Sequence, residues 1–382
     1  MTAPRLRIGY VTSGFVWAPG GNHRVVYEHA NQLSARGHAV SVLHPPESAG
    51  AARKGTGRAG WLARARGAGQ RLRKHWMPAR PAWFDLSPRV EVRRLRTLGP
   101  EEFRGCDVLV AANWNVAQPL YRAASALGIP LVQVAHHYEV LSGYPAAHVD
   151  AALALPVPKV VVSGWTRDCL AAAGFGELEY APNGVDPRLY RVVRPPEERE
   201  LVVCANYTPK AIKDPDTLFG ALERVVSEVP GVRVLLFGGS RAAPRLPFPV
   251  RYVPRASNAY VAAEVYNRSA VFVGSSRYEG FALPAAEAMA CGCAVVSTDC
   301  GGIRDFALHG ETALLSPPGD PRALAANVVR VLDDRVLRLA LVGRGLETIA
   351  AFTWERSAAE LERVLLAAVR AAHPHPRAAG HV

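Results

Sequence analysis

The run Ser275-Ser276-Arg277-Tyr278-Glu279-Gly280-Phe281-Ala282-Leu283-Pro284-Ala285-Ala286-Glu287-Ala288-Met289-Ala290-Cys291-Gly292 decides how the rest of the chain is read. It follows the apolar segment Val271 to Gly274 and places Pro284 as the first residue of a helix that Gly292 stops. A strand end, a tight loop and a helix N-terminus therefore follow in order, and such an end offers unpaired N–H groups to a phosphate. Two carboxylates stand in Glu-x7-Glu spacing, Glu279 in the loop and Glu287 expected in the first helical turn. Carboxylates accept from hydroxyls, so the two would hold different parts of one polyhydroxylated ligand. Taken alone, the same spacing equally describes an exposed glutamate and one favoured by the helix dipole.

Working outward, strands and helices alternate on both sides of this run. Downstream of residue 200 the segments are Leu201 to Ala205, Thr217 to Val229, Val232 to Gly238, Val250 to Pro254, Val261 to Tyr266 and Val271 to Gly274. The strand Ala294 to Ser297, the segment Pro321 to Leu332 and a long helix from about Thr353 to Ala371 follow. Upstream, the strand Leu6 to Ser13 runs to Pro19-Gly20-Gly21, a helix from His23 to Gly37 carries Val26, His29, Ala30 and Leu33 on one face, and His38 to His44 is a second strand. Further strands fit Val108 to Ala112, Leu131 to Ala135 and Val160 to Ser163. The fold class is α/β, with two doubly wound Rossmann-like domains that bind ligand at strand carboxyl ends facing the gap between them. The first domain is expected over 1–183, ending at Asn183-Gly184-Val185-Asp186, and the second over 184–352. A terminal helix over 353–372 crosses back to the first domain, and 373–382 is expected to be disordered.

Composition agrees with a globular enzyme: of 382 residues, 49% are hydrophobic, 20% charged and 8% aromatic. No apolar run reaches membrane-spanning length and the N-terminus shows no secretory signal, so a cytoplasmic protein is expected. The six cysteines lack zinc spacing and read as buried thiols. Charge is concentrated, since residues 51–100 hold thirteen Arg and Lys against two acids, +11 of the net +12. Within 51–80 the basic residues interleave with Trp61, Leu62, Leu72 and Trp76, a pattern that suits peripheral contact with an anionic membrane, an acidic acceptor or a solvated excursion. No nucleic-acid-binding module accompanies the charge, and nucleic acid is not expected as a partner.

The central run resembles the signature of family four glycosyltransferases, E-G-F-G-L-P-x-x-E-A-M-A-C-G-x-P-V-V, with Ala282 and Ala294 in place of a Gly and a Pro. The resemblance extends to Gly20-Gly21, Ser163-Gly164-Trp165-Thr166, Asn183-Gly184-Val185-Asp186, Gly301-Gly302-Ile303-Arg304-Asp305, His309-Gly310-Glu311-Thr312 and Pro317-Pro318-Gly319-Asp320. It covers most of the chain outside 48–100 and the tail, and it implies the GT-B fold and sugar transfer from a nucleotide diphosphate with retention of configuration. UDP is the commonest nucleotide in that family and GDP the next, while the acceptor would be a lipid, a polysaccharide or a small secondary metabolite.

The resemblance also implies roles. Glu279 would touch donor-sugar hydroxyls, Glu287 the ribose, and the amides of Phe281, Ala282 and Leu283 the sugar and diphosphate. Gly20 and Gly21 would let backbone approach phosphate or acceptor. The family carries an Arg and a Lys in G-R-x(4)-K-G; here Lys213 matches the Lys, the Arg is missing, and Lys210 is a candidate substitute, although an ammonium lacks the fork of a guanidinium. The family histidine aligns with His136, with His137 one residue away. No cofactor and no metal are expected, because Asp214-Pro215-Asp216 reads as a helix start rather than a D-x-D site. A nicotinamide enzyme is disfavoured by the lack of G-x-G-x-x-G after the first strand. Three readings stay open beside transfer: pseudo-glycosyl coupling, sugar-nucleotide epimerisation, and a decayed nucleotide-sugar-binding subunit suggested by the missing Arg.

Overall fold

The computed structural model describes residues 4–14, 20–46 and 79–373. Most of the basic stretch expected at the membrane, and the tail from residue 374, lie outside the described residues. Two sheets are present. The first contains β1 (Arg7–Val11), β2 (Ala39–His44), β3 (Glu91–Arg94), β4 (Val108–Ala111), β5 (Leu131–Ala135), β6 (Lys159–Val161) and β7 (Leu178–Tyr180) in the order β3-β2-β1-β4-β5-β6-β7. The second contains β8 (Val202–Asn206), β9 (Arg233–Gly238), β10 (Arg251–Pro254), β11 (Val271–Gly274), β12 (Ala294–Thr298) and β13 (Ala313–Ser316) in the order β10-β9-β8-β11-β12-β13. All pairs in the second sheet are parallel, with Val271 beside both Val203 and Ala294.

Both orders carry the same topological consequence. The chain first winds outward from β1 or β8 and then returns to the other side of that strand with β4 or β11. The strand order reverses between β8 and β11, and in open α/β sheets the crevice for ligand lies beyond the carboxyl ends at such a point. Parallel strands covered on both faces are near-continuous apolar runs. Val203, Ala205, Leu236, Val271, Val273 and Val296 are all buried, joined by Leu218, Leu222 and Val225 of the helix Pro215–Glu228 and Leu324 and Val328 of the helix Pro321–Asp333. Each fully buried Val or Leu contributes about 1.5 to 3 kcal/mol relative to exposure.

Several elements depart from the sequence expectation for local reasons. Strand β3 is the charged edge segment Glu-Val-Arg-Arg, and β7 spans three residues, so neither shows an apolar run. The segment Val261 to Tyr266 is not extended; a short helical turn at Asn258–Tyr260 continues as a π-turn over Val261–Val265. The helix Arg335–Ile349 follows Pro321–Asp333 after one residue, Asp334, whose carboxylate caps it by accepting from the Leu337 amide at 2.9 Å. With no Gly or Pro between them, the two helices read as one segment followed by nothing. Among the described residues no helix is long and apolar enough to cross a membrane.

The chain divides into two compact units, one of residues 1–135, 143–160 and 361–382, the other of 136–142 and 161–360. In the first unit the end of the helix Trp354–Ala372 is tied to the turn before β2. The Leu6 amide donates to His38 Nδ1 at 3.1 Å, so the imidazole proton sits on Nε2 and is donated to Glu362 at 2.7 Å. Arg36 Nε donates to the second carboxylate oxygen at 2.6 Å. Burial alone would raise the Glu362 pKa, but the hydrogen bonds from Arg36 and His38 outweigh it and hold the carboxyl below its ordinary value. Replacing Glu362 with Ala should therefore cost roughly 1 to 3 kcal/mol at neutral pH, because buried donors lose their acceptor. A group with a depressed folded pKa stabilises above its unfolded value of about 4.3 and loses that contribution as pH falls through the lowered one. Thermal melts of wild type and Glu362→Ala should differ at pH 7 and converge under acid conditions.

Candidate functional site

Three loops meet at the carboxyl ends of the central strands of the second sheet. After β8 the chain passes through Lys210 into the short helical turn Ala211–Lys213, and Asp214 then caps the helix Pro215–Glu228 by accepting from the Thr217 amide at 3.4 Å, with a further bond from Thr217 Oγ1 at 2.9 Å. Asp214 also pairs with Arg277 at 3.0 Å, so the first acid of the Asp-Pro-Asp triplet is engaged in the fold. After β11 the loop of Ser275 to Gly280 is stitched to its neighbours on both sides. Ser275 Oγ donates to the Lys213 carbonyl at 2.8 Å, the Arg277 amide donates to the Ile212 carbonyl at 2.9 Å, and the Glu279 amide donates to Cys300 in the loop after β12 at 2.8 Å.

This stitching aims the side chains. Glu279 is ion-paired with Lys213 and accepts from Ser276 Oγ at 2.7 Å. His137 lies beside them: burial, the largest influence, lowers its pKa, while Glu279 pulls it up and Lys213 pushes it down. Of the histidine pair, His136 is buried and its backbone packs against the loop, since a Cβ built at Gly280 would lie 1.7 Å from the His136 carbonyl oxygen. The His137 imidazole is thus electrostatically coupled to both members of the ion pair. Glu139, in the turn that follows, is pushed up to about 8 by burial.

The helix Leu283–Ala290 begins one residue earlier than Pro284, so Glu287 falls in its second turn rather than its first. Glu287 is buried, and Tyr266 Oη donates to it at 3.4 Å. Ala282 caps the helix with φ 65° and ψ 52°, a left-handed conformation that family members reach with Gly. Among the described residues, the amides of Phe281, Ala282 and Leu283 donate to no protein acceptor. A row of unpaired amides at a helix start is a chemistry suited to accepting an anion.

The structure thus brings together Lys213, Glu279 and His137 and places the orphan amides on the segment that follows Glu279. It does not bring Lys210 to them: that side chain is exposed and makes no contact with the ion pair. Gly20 and Gly21 lie in the other unit at the start of the helix Gly21–Ala35, where a Cβ at Gly21 would meet nothing within 4 Å. Sequence reasoning missed Ser276 and the role of the Gly280 contact, and it named His137 only as the neighbour of His136. Both histidines follow an apolar strand, and strand alternation alone does not identify which one turns toward a loop more than a hundred residues away.

Two α/β sheets with reversing strand order, and a carboxylate–lysine pair at the switch point of the second, are the frame of an α/β enzyme that binds its ligand beyond the strand ends. The comparisons sharpen this. Residues 19–189 match the profile described as Glycosyltransferase Family 4, and residues 198–334 match that of Glycosyl transferases group 1. A glycogen synthase of Mycobacterium tuberculosis is 28% identical over 316 residues, 74% of each chain. Among solved structures, a sucrose-phosphate synthase from Thermosynechococcus elongatus is similar with a TM-score of 0.75 at 22% identity, over 95% of this chain and 100% of that one. Anabaena Alr3699/HepE, solved with UDP and glucose, gives 0.72 at 16% identity over 95% and 100%. The fold is GT-B, and the chain belongs to the family four, group 1 glycosyltransferases.

Two substitutions test the local physics. Gly280→Ala should remove activity and lower the melting temperature, because its methyl group would collide with the His136 carbonyl; unchanged kinetics and melting would show the loop to be less constrained. Ala282→Gly should raise stability by up to about 1 kcal/mol, since left-handed backbone costs an L-residue about 1 to 2 kcal/mol and glycine returns part of that as unfolded-state entropy. Denaturant titration reads the difference.

Proposed function

We propose that the protein transfers a sugar from a nucleotide diphosphate, with UDP as the nucleotide, to an acceptor hydroxyl, with retention of configuration and without a metal ion. The observation that carries this reading is the Lys213–Glu279 ion pair next to the unpaired amides of Phe281, Ala282 and Leu283. The lysine and the glutamate neutralise each other. A diphosphate is a stronger partner for Lys213 and the amides, and its arrival frees Glu279 to accept from donor-sugar hydroxyls. Glu287 takes the ribose hydroxyls. The UDP complex of the HepE structure supports the choice of nucleotide.

As the bond to the leaving phosphate lengthens, negative charge grows on the diphosphate where Lys213 and the amides already point, and preorganised donors of this kind lower the barrier. The acceptor hydroxyl attacks from the face the diphosphate leaves, and the phosphate takes its proton. His137, held neutral by its buried setting, is the imidazole beside the sugar. The missing family arginine is not replaced by Lys210 on this reading; Lys213 and the orphan amides carry the charge. The basic residues of 51–80 bring the protein to an anionic surface that presents the acceptor.

A panel of UDP- and GDP-sugars, followed for slow hydrolysis and then for acceptor products by mass spectrometry, tests the reading as a whole. Retention in the product, and turnover undiminished by EDTA, are the expected results; an inverted product or a requirement for magnesium or manganese would falsify it. Glu287→Ala should weaken UDP binding by about tenfold or more, the equivalent of roughly 1.5 to 3 kcal/mol for a hydrogen bond to a charged group, with unchanged calorimetric affinity removing Glu287 from the ribose site. Lys213→Ala should reduce kcat more than it raises KM, because its contribution is largest when the phosphate departs. Acidic liposomes should sediment the protein at low salt and release it as the screening length shortens to about 8 Å; failure to bind at low salt would remove the membrane.

A further inference from the structure

A second concave surface lies in the same unit, and none of Lys213, Glu279 or Glu287 lines it. It is a groove of about 640 Å³ walled by Trp165, Tyr278 and Pro317, with Arg277, Arg304 and His309 among its polar side chains. Its volume falls in the range of small-molecule sites, roughly 300 to 1,000 Å³. The Trp165 and Tyr278 rings stack with centroids 6.4 Å apart and planes 15° from parallel. Trp165 is wedged in place, because a Cβ at Gly301 would come within 2.3 Å of its ring. Tyr278, by contrast, is 40% exposed. A rigid aromatic face open to solvent is suited to the apolar C–H face of a sugar ring.

The polar groups define the rest of the ligand. Asp299, the acid in the groove, is consumed: Arg304 Nε and Nη2 each donate to it at 2.8 Å, and the Gly301 amide donates at 3.4 Å. His309 Nδ1 accepts from the Leu315 amide at 3.0 Å, which leaves the proton on Nε2 as a donor. Arg277 gives Nη2 to Asp214 at 3.0 Å and is half exposed. Beyond their bonds to Asp214 and Asp299, Arg277 and Arg304 keep unspent guanidinium N–H groups, which with His309 Nε2, the Trp165 indole N–H and the Tyr278 hydroxyl make the remaining capacity mostly that of donors. Such a set complements an acid, and a planar guanidinium suits carboxylate and phosphate alike.

We propose that this groove is a second ligand site that binds a saccharide unit bearing an acidic group, carboxylate or phosphate, with the ring on the Trp165–Tyr278 face and the acid toward the arginines. It stands on the groove's own residues and not on the donor assignment. The test is calorimetric titration of the full chain with tetragalacturonate, glucose 6-phosphate, neutral maltotetraose and inorganic phosphate. Tetragalacturonate or glucose 6-phosphate should bind at least tenfold more tightly than maltotetraose and inorganic phosphate, and whichever does so names the acid. Tyr278→Ala and Arg304→Gln should each weaken that binding by tenfold or more. The Tyr278 change removes only an exposed ring, so its result stands even where loss of the Arg304–Asp299 pair disturbs folding. Glu287→Ala should lose UDP and keep the saccharide, which separates failure of this proposal from failure of the donor reading. Absence of binding by both acids, equal binding of maltotetraose or inorganic phosphate, or indifference to Tyr278→Ala overturns it.

Discussion

The ion pair between Lys213 and Glu279 is the interaction on which the arrangement of this site depends. Lys213 comes from the turn after β8 and Glu279 from the loop after β11, the two strands between which the sheet order reverses. Topology alone leaves a crevice there, but a crevice holds no particular chemistry. The ion pair fixes which side chains face it, and the bonds from the Ser275 hydroxyl and the Arg277 amide to the Lys213 turn keep both partners from drifting apart. A lone lysine in so enclosed a corner would bear an unpaired charge. With Glu279 beside it, the corner stays charged in its parts and neutral as a whole.

Close backbone packing makes that geometry durable. Gly280 sits against the His136 carbonyl, and Gly302 against the Gly280 carbonyl, where an added Cβ would lie 2.1 Å away. Three chain segments therefore pass one another with no side chains between them. Ala282 is the exception that defines the rule: its backbone takes the left-handed conformation with a methyl group attached, and the strain is borne because the surrounding loops allow no other path into the helix Leu283–Ala290.

Much of this was legible in the residues. The switch-point loop, the helix that follows it and both glutamates are written in one run, because a strand end, a proline and a stopping glycine act locally. Long-range choices were not. The packing of the His136 carbonyl against Gly280 joins residues far apart in sequence, and no local pattern announces it. Lys213, which matches the family lysine, pairs with Glu279 of the loop after β11, whereas Lys210, the candidate for the missing Arg, is exposed. Glu287 moves one position along the helix, just past the first turn, because the helix starts at Leu283, ahead of the proline that seemed to open it. The edge strands β3 and β7 escaped notice since their sequences are short and polar, and pairing rather than propensity makes them strands.

The tie between Arg36, His38 and Glu362 has a bearing on how the chain is made. Its partners are separated by 326 residues, so the first unit is born without the helical segment that completes it. At about 5 to 20 residues per second, roughly 15 to 65 seconds pass on the ribosome between the emergence of the two halves of that contact. During this interval the nascent sheet must stay soluble with the surface meant for its last helix uncovered, while the second unit is synthesised. The first unit thus waits for its closing segment until the second has been made, and the two units become complete almost together.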